Sequence, residues 1–347
     1  MAILKLILTL AVAFVFACLF RRLKVPGGIM VGAILGAASL SILSGRAYMP
    51  TEAKLTAQCL AGAFIGCSVS RKDLQTMPKL IKPALVLILG VFVLNMLLGY
   101  LIYLCSPMDL LTCLMCAIPG GMSDTPIIAA DLGADAAKVA LLQFVRMAAG
   151  IGLFPGLIMM LTKGEEQQKP KIAPSAKKKE QADPIRFPIT LLTAVGCGIL
   201  GKLSGIPAGA LVFSMLGVIA LKLLFEKAYL PMWAKRLAQL LSGAYIGCGI
   251  GYDDLQQLKY LMLPAGIILL GYLINSLILG SVLSRRFGLP LRTAMLAATP
   301  AGASDMALIS AEMGINSQEL VELQIIRMIV VVSLFPQIIY FIAKYFG

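Results

Sequence analysis

Two copies of one motif decide the fold: Ile118-Pro119-Gly120-Gly121-Met122-Ser123-Asp124-Thr125-Pro126 and Thr299-Pro300-Ala301-Gly302-Ala303-Ser304-Asp305. Each copy lies in the middle of an apolar segment, 110–130 in the first case and 292–312 in the second. Proline and glycine break helices. Broken backbone at membrane depth persists only where protein or water satisfies its polar groups. Each motif therefore predicts a re-entrant hairpin with its tip at the break, 119–124 in the first copy.

The composition places these segments in a bilayer. The chain has 347 residues, of which 59% are hydrophobic and 14% are charged, and its mean hydropathy is +0.90. A soluble chain of this length has no way to cover so much apolar surface. The apolar blocks are also long enough to cross about 30 Å of hydrocarbon. We predict an all-α polytopic membrane protein that binds no nucleic acid, because its basic residues lie in short loops.

The chain aligns with itself at a shift of 181 residues. Identical pairs at this spacing include Pro26 with Pro207, Gly62 with Gly243, Gly66 with Gly247, Pro119 with Pro300, Asp124 with Asp305, Gln143 with Gln324 and Arg146 with Arg327. Such coincidence among polar and breaker residues indicates a duplication. We assign the first repeat to 1–162, a polar, basic cytoplasmic linker to 163–186 and the second repeat to 187–347.

Loop charges indicate that the two repeats face opposite ways. In the first repeat, the loop after the third segment carries Arg71, Lys72, Lys79 and Lys82, whereas its counterpart carries Asp253, Asp254 and one Lys259. The loop after the fourth segment lacks basic residues in the first repeat, whereas its counterpart carries Arg285, Arg286 and Arg292. Lysine and arginine collect on the cytoplasmic side, so equivalent loops lie on opposite sides.

Inversion requires an odd number of crossings in each repeat, although each repeat has six apolar segments. If the broken fifth segment is a re-entrant hairpin, the protein has two inverted-topology repeats, about ten transmembrane helices and two hairpins. Both termini are then extracytoplasmic. In the alternative, the fifth segment crosses as a broken helix and another segment does not cross.

Four charges lie inside the apolar segments. A charge at the bilayer centre costs at least about 2.5–3.5 kcal/mol, so Asp124, Asp305, Arg146 and Arg327 need a compensating role. One hypothesis is a site at the midplane, where an aspartate takes Na⁺ or a proton and an arginine holds a carboxylate. The alternative is a structural Asp–Arg ion pair in each repeat. The candidate substrate- and ion-binding residues are Gly120, Gly121, Ser123, Asp124, Gln143, Arg146, Ala301, Gly302, Ser304, Asp305, Gln324 and Arg327, with Asp124 and Asp305 as candidate Na⁺ ligands.

The motifs PGGMSD and PAGASD, each followed by a QxxR helix, resemble the membrane AbrB-type family, which is described as an AbrB duplication. Its members carry the labels ammonia monooxygenase and regulator of gene expression. The pattern is also similar to the inverted-repeat cation/proton antiporters and anion transporters. That kinship implies a mobile core domain and a scaffold domain, and by analogy a homodimer through the scaffold. Our hypothesis is that the scaffold is made mainly of segments one and two.

The monooxygenase label conflicts with the residues present. Such an enzyme needs a metal centre, and the sequence has no histidine and no carboxylate–cysteine cluster. We therefore predict no enzyme, no cofactor and no resident metal site. We expect a secondary transporter of a small solute, coupled to Na⁺ or H⁺, in the bacterial inner (plasma) membrane. The alternative is a membrane sensor that affects gene expression indirectly, without transport.

Overall fold

The structure, a computed structural model, describes residues 2–69, 71–162, 186–226, 228–302, 306, 310, 315 and 318–346. The predicted linker, except Arg186, and the candidate residues Ser304 and Asp305 lie outside this part of the chain. The described helices are α1 (Ala2–Arg22), α2 (Gly28–Ser44), α3 (Thr51–Ser68), α4 (Arg71–Cys105), α5 (Leu110–Ala117), α6 (Thr125–Leu132), α7 (Ala136–Gly152), α8 (Phe154–Leu161), α9 (Arg186–Leu203), α10 (Gly209–Phe225), α11 (Met232–Cys248), α12 (Tyr252–Gln257), α13 (Met262–Phe287), α14 (Leu291–Ala298) and α15 (Gln318–Phe346). A 3₁₀ turn, Leu258–Leu261, joins α12 to α13.

The helical membrane character predicted from composition is confirmed. All elements within the described residues are helices, and six stretches are long and apolar enough to cross a membrane. They are Ala2–Arg22, Leu80–Cys105, Ala136–Leu161, Arg186–Leu203, Lys259–Phe287 and Glu319–Tyr345. The total of ten crossings stays a prediction. One local expectation needs correction, because residues 71–79, predicted as a basic loop, form the first turns of α4 ahead of its apolar part.

The helices form two bodies. We call the helices α1, α2, α3, α9, α10 and α11 the scaffold body, because they pack mainly on one another. We call α4–α8 and α13–α15 the core body, in which α4 packs against both α13 and α15. The third segment of each repeat, α3 or α11, therefore joins the first two in the scaffold, which is larger than our hypothesis of two segments.

Glycines explain why α3 and α11 belong to the scaffold. A Cβ at Gly62 would lie 2.9 Å from the Ser214 Cβ of α10, and a Cβ at Gly243 would lie 2.7 Å from the Ala33 Cβ of α2. Both distances are shorter than ordinary carbon contacts, so only glycine permits this approach. Ala33 and Ser214 are themselves 181 residues apart, so the two interfaces are equivalent.

Replacing Gly243 with alanine is expected to destabilise the protein by about 1–3 kcal/mol, because the new methyl group meets the Met30 carbonyl at 2.6 Å. Thermal unfolding of the purified protein in detergent measures the effect. Gly266→Ala is the matched control, since nothing lies within 4 Å of a Cβ there. Equal melting temperatures for the two variants would contradict the close packing of α11 on α2.

Candidate functional site

The first motif separates two short helices. Helix α5 ends at Ala117, residues 118–124 are not helical, and α6 begins at Thr125. Beyond α6, the Asp135 N–H donates to the Thr112 hydroxyl in the first turn of α5, at 3.0 Å. The start of α5 and the end of α6 therefore lie side by side, and we call them the open end of the first motif. The break at 118–124 lies about 12 Å away from them, the length of an eight-residue helix.

Gln143 and Arg146 of α7 hold the break in the first motif. The Arg146 guanidinium donates to the carbonyls of Ile118 and Gly120, both at 2.6 Å. The Gln143 amide donates to the same Ile118 carbonyl at 2.8 Å. Both side chains are buried, with exposed fractions of 2% for Arg146 and 0% for Gln143. These carbonyls have lost their helical partners, so the two side chains replace hydrogen bonds that the broken helix cannot make.

The second motif repeats this arrangement. Arg327 of α15 donates to the Thr299 carbonyl at 2.7 Å and to the Ala301 carbonyl at 2.8 Å. Gln324 donates to the carbonyls of α14 and Thr299, and its own oxygen accepts from Arg327 at 2.6 Å. Ala301 is buried and Gly302 is half-buried. In each repeat, the glutamine and the arginine are three residues apart and lie on one face of the helix. Both side chains therefore reach the same backbone break.

Asp124 stands apart from the arginine of its own repeat. Both residues lie in the described part of the chain, and there the Arg146 guanidinium donates to backbone carbonyls rather than to the Asp124 carboxylate. The Asp124 side chain, 8% exposed, lies over Gly121, where a Cβ would come within 3.2 Å of the carboxylate carbon. A Cβ at Gly120 would collide with Thr125. The two glycines therefore permit the backbone to turn beneath Asp124.

Some buried polar atoms at the two breaks take no part in the hydrogen bonds of the glutamines and arginines. Within the described residues, the Nε atoms of Arg146 and Arg327 and the Oε1 atom of Gln143 are buried without a hydrogen-bond partner. A buried donor or acceptor without a partner costs about 1–3 kcal/mol. A water molecule, an ion or a solute that enters the break can supply such a missing bond.

Sequence reasoning missed Tyr272 of α13. Its hydroxyl donates to the Ala117 carbonyl at the end of α5, at 2.6 Å, and its side chain is fully buried. This bond joins the second repeat to the first motif. The equivalent position in the first repeat is Val91, so comparison of the repeats gave no signal. A tyrosine inside an otherwise apolar span was the available indication.

A group of contacts between scaffold and core was also missed. Lys54 of α3 forms an ion pair with Asp131 at the end of α6, at 2.8 Å, and the Gln58 amide donates to the same carboxylate at 3.1 Å. In α11, the Gln239 amide donates to the hydroxyl of Ser123 in the first break, at 3.2 Å. Gln58 and Gln239 are 181 residues apart, which is the signal that could have revealed them.

A cleft of about 470 Å³ opens between the two bodies beside the Lys54–Asp131 pair. It lies between α3, the end of α6, the α9–α10 connection and α15. The polar side chains that line it are Thr51, Lys54, Gln58, Asp131, Lys202 and Tyr340. Its volume is within the usual range of small-molecule sites. In the predicted topology, all of these element ends lie on the extracytoplasmic side.

Comparison with known proteins identifies the family of this chain. A family model described as "Transition state regulatory protein AbrB" matches residues 1–162 and 46–343. The chain belongs to the AbrB family. One relative is "Uncharacterized protein YhjN" of Bacillus subtilis (strain 168), 27% identical over 89% of this chain and 85% of the relative. Another is "Putative regulator AbrB" of Escherichia coli (strain K12), 24% identical over 94% of this chain and 93% of the relative.

Proposed function

We propose that this AbrB-family protein is a secondary transporter of a small solute, coupled to Na⁺ or H⁺, and works by alternating access between the core and scaffold bodies. The observation that carries the proposal is the pair of broken helices, each held open by its own glutamine and arginine. Breaks of this kind at membrane depth are typical of transporter sites.

Hydrogen bonds at the two ends of α7–α8 support an inverted arrangement with re-entrant hairpins. At the start of α7, the Asp135–Thr112 bond holds the open end of the first motif. At the end of α8, Arg292 at the start of α14 donates to the Thr162 hydroxyl at 3.0 Å and to its carbonyl at 2.7 Å. Because α7–α8 is one candidate span, the two motifs begin at opposite ends of it. Two hairpins that enter from opposite sides would have this geometry, and this supports the proposal.

The site residues have separate roles in this proposal. Asp124, whose carboxylate lies above the first break, and Asp305 take the coupling Na⁺ or proton. The arginines keep the breaks in shape, and their unpartnered Nε–H groups are the donors that an anionic solute would use. Close approach to the backbone is provided by Gly120, Gly121, Ser123, Ala301, Gly302 and Ser304.

The second candidate function is a membrane sensor that binds a solute without transporting it. It is favoured by the name of the Escherichia coli relative, which calls that protein a regulator. Both functions need a solute site at the breaks, and only the transporter moves the solute across the bilayer.

Two measurements test the proposal. Melting temperatures are measured with Na⁺, with K⁺ and with small metabolites, at several pH values, to identify a stabilising ligand. A ligand that binds only the folded state raises the free energy of unfolding by about 2.7 kcal/mol when its concentration is one hundred times Kd. Uptake of that ligand into proteoliposomes under an imposed Na⁺ or H⁺ gradient then separates the candidates. Gradient-driven uptake supports the transporter, whereas binding without uptake supports the sensor. The absence of any stabilising ligand would count against both.

A further inference from the structure

The cleft of about 470 Å³ between the scaffold body and the core body is separate from the two breaks. The glutamines and arginines that hold the breaks lie outside its lining. On the core side, the cleft is lined by Asp131 and Leu132 at the end of α6 and by Tyr340 of α15. Asp131 follows Asp124 by seven residues, so roughly 10 Å of helix separates the cleft from the first break. A solute in the cleft therefore does not occupy the breaks.

The charged side chains that line the cleft are Lys54, Lys202 and Asp131. Lys54 and Asp131 form an ion pair at 2.8 Å. Among the residues that the structure describes, no carboxylate lies within ion-pair distance of Lys202, which is exposed. An ammonium group has three N–H donors, so Lys54 also retains donors beyond its bond to Asp131. The lining therefore carries one positive charge in excess, together with donors that an anion can use.

The helix ends around the cleft add to this positive potential. The first turns of α3 and α10 line the cleft, and in the described part of the chain neither has a side-chain cap. Backbone N–H groups at such ends lack helical partners and favour anions. The C-terminal ends of α6 and α9 also reach the cleft, but their carbonyls are capped. The Gly133 N–H donates to the Ala129 carbonyl, and the Ser204 hydroxyl donates to the Gly201 carbonyl at 2.7 Å.

Much of the remaining wall of the cleft is apolar. The apolar side chains are Leu55, Leu132, Ile206, Pro207 and Ala210, and Tyr340 adds an aromatic ring that carries a hydroxyl group. Sites for small organic molecules combine apolar walls with a few polar groups that fix the orientation of the ligand. An inorganic ion makes no use of an apolar wall. The lining therefore matches an organic anion better than an inorganic one.

We infer that this cleft is a second solute site, which binds a small organic monocarboxylate with an apolar body. Lys202 binds the carboxylate with Lys54 as a second donor, and the apolar body packs against Leu55 and Ile206. The single positive charge in excess favours one carboxylate over two, because a second carboxylate would lack a partner. This inference goes beyond the proposed function, since binding in the cleft requires neither a coupling ion nor transport.

Benzoate is the probe for this site, because it joins one carboxylate to an apolar ring. Its binding to the purified, delipidated full-length protein in a nonionic detergent is measured by isothermal titration calorimetry. Benzamide has nearly the same shape without the charge, and acetate has the charge without the ring. We expect benzoate to bind more tightly than either compound by about tenfold. Equal binding of benzoate and benzamide would show that no cation selects the ligand and would overturn the inference.

Variants of Lys202 test whether benzoate lies in the cleft. Lys202→Gln should lower the affinity for benzoate about fivefold to tenfold, because it removes the lysine that has no ion pair. The melting temperature without benzoate should stay unchanged, since the side chain is exposed. Lys202→Arg should restore most of the affinity. Lys259→Gln is the matched control, because Lys259 is also exposed and lies outside the lining. The inference is wrong if the two glutamine variants bind benzoate equally, or if the wild-type protein does not bind it.

Two further measurements separate the cleft from the breaks and a solute from a lipid. Asp124→Asn/Asp305→Asn should leave the affinity for benzoate unchanged, and a change would place benzoate at the breaks instead. Phosphatidylglycerol added to the detergent micelles should not displace benzoate, and displacement would assign the cleft to an anionic lipid and overturn the solute site. If no ligand is taken up under a gradient, the transporter proposal fails while binding of benzoate that depends on Lys202 still stands.

Discussion

Replacing Arg146 with alanine is expected to destabilise the protein by about 3–5 kcal/mol. The substitution removes two charge-assisted hydrogen bonds of 2.6 Å and leaves the carbonyls of Ile118 and Gly120 with fewer donors inside a buried break. A hydrogen bond to a charged group contributes about 1.5–3 kcal/mol, and this substitution removes two of them. The measurement is the thermal unfolding of the purified protein in detergent.

Three further variants test whether the loss of stability comes from the guanidinium contacts at the break. Arg146→Lys should not restore stability, because a single ammonium group lacks the planar fork that reaches two carbonyls at once. Arg327→Ala should cost a similar amount, because its carbonyl contacts are equivalent. Arg286→Ala, at an exposed position near the end of α13, should change little. A melting temperature of Arg146→Ala equal to that of Arg286→Ala would show that the break does not depend on the guanidinium.

The same contacts show what the sequence could predict. The breaks at Pro119 and Pro300 were predictable because proline and glycine act on the backbone locally. The direction of Gln143 and Arg146 followed from helix periodicity. Their hydrogen-bonding partners did not, because a buried guanidinium pairs equally well with a carboxylate or with carbonyls. Only the folded backbone shows that the break itself supplies the acceptors.

Contacts between distant segments could not be predicted from the sequence, for a different reason. Lys54 and Asp131 meet only because α3 and α6 belong to bodies that pack against each other, and nothing local indicates that packing. Tyr272 was hidden because the repeats differ at that position.

Replacing Asp124 with asparagine is expected to weaken binding of the coupling ion by about tenfold or more, equivalent to 1.4 kcal/mol, with little change in stability without ligand. Asparagine has nearly the same shape, and the Arg146 contacts that hold the break do not involve Asp124. The variant therefore removes a charge and leaves the fold. Ion-dependent shifts in melting temperature and ion-dependent uptake measure the effect, and Asp124→Asn/Asp305→Asn should abolish both.

Asp135→Asn provides the matched control. The Asp135 carboxylate accepts from the N–H groups of Ala137 and Lys138, both at 3.1 Å, and so caps α7 at the open end of the first motif. Asparagine caps helices as well as aspartate does, so this variant also loses one charge without losing the fold. Because it lies away from the break, it should keep ion-dependent uptake. If Asp124→Asn/Asp305→Asn behaves like Asp135→Asn, neither carboxylate takes the coupling ion, and the ion must bind through backbone carbonyls and hydroxyl groups instead.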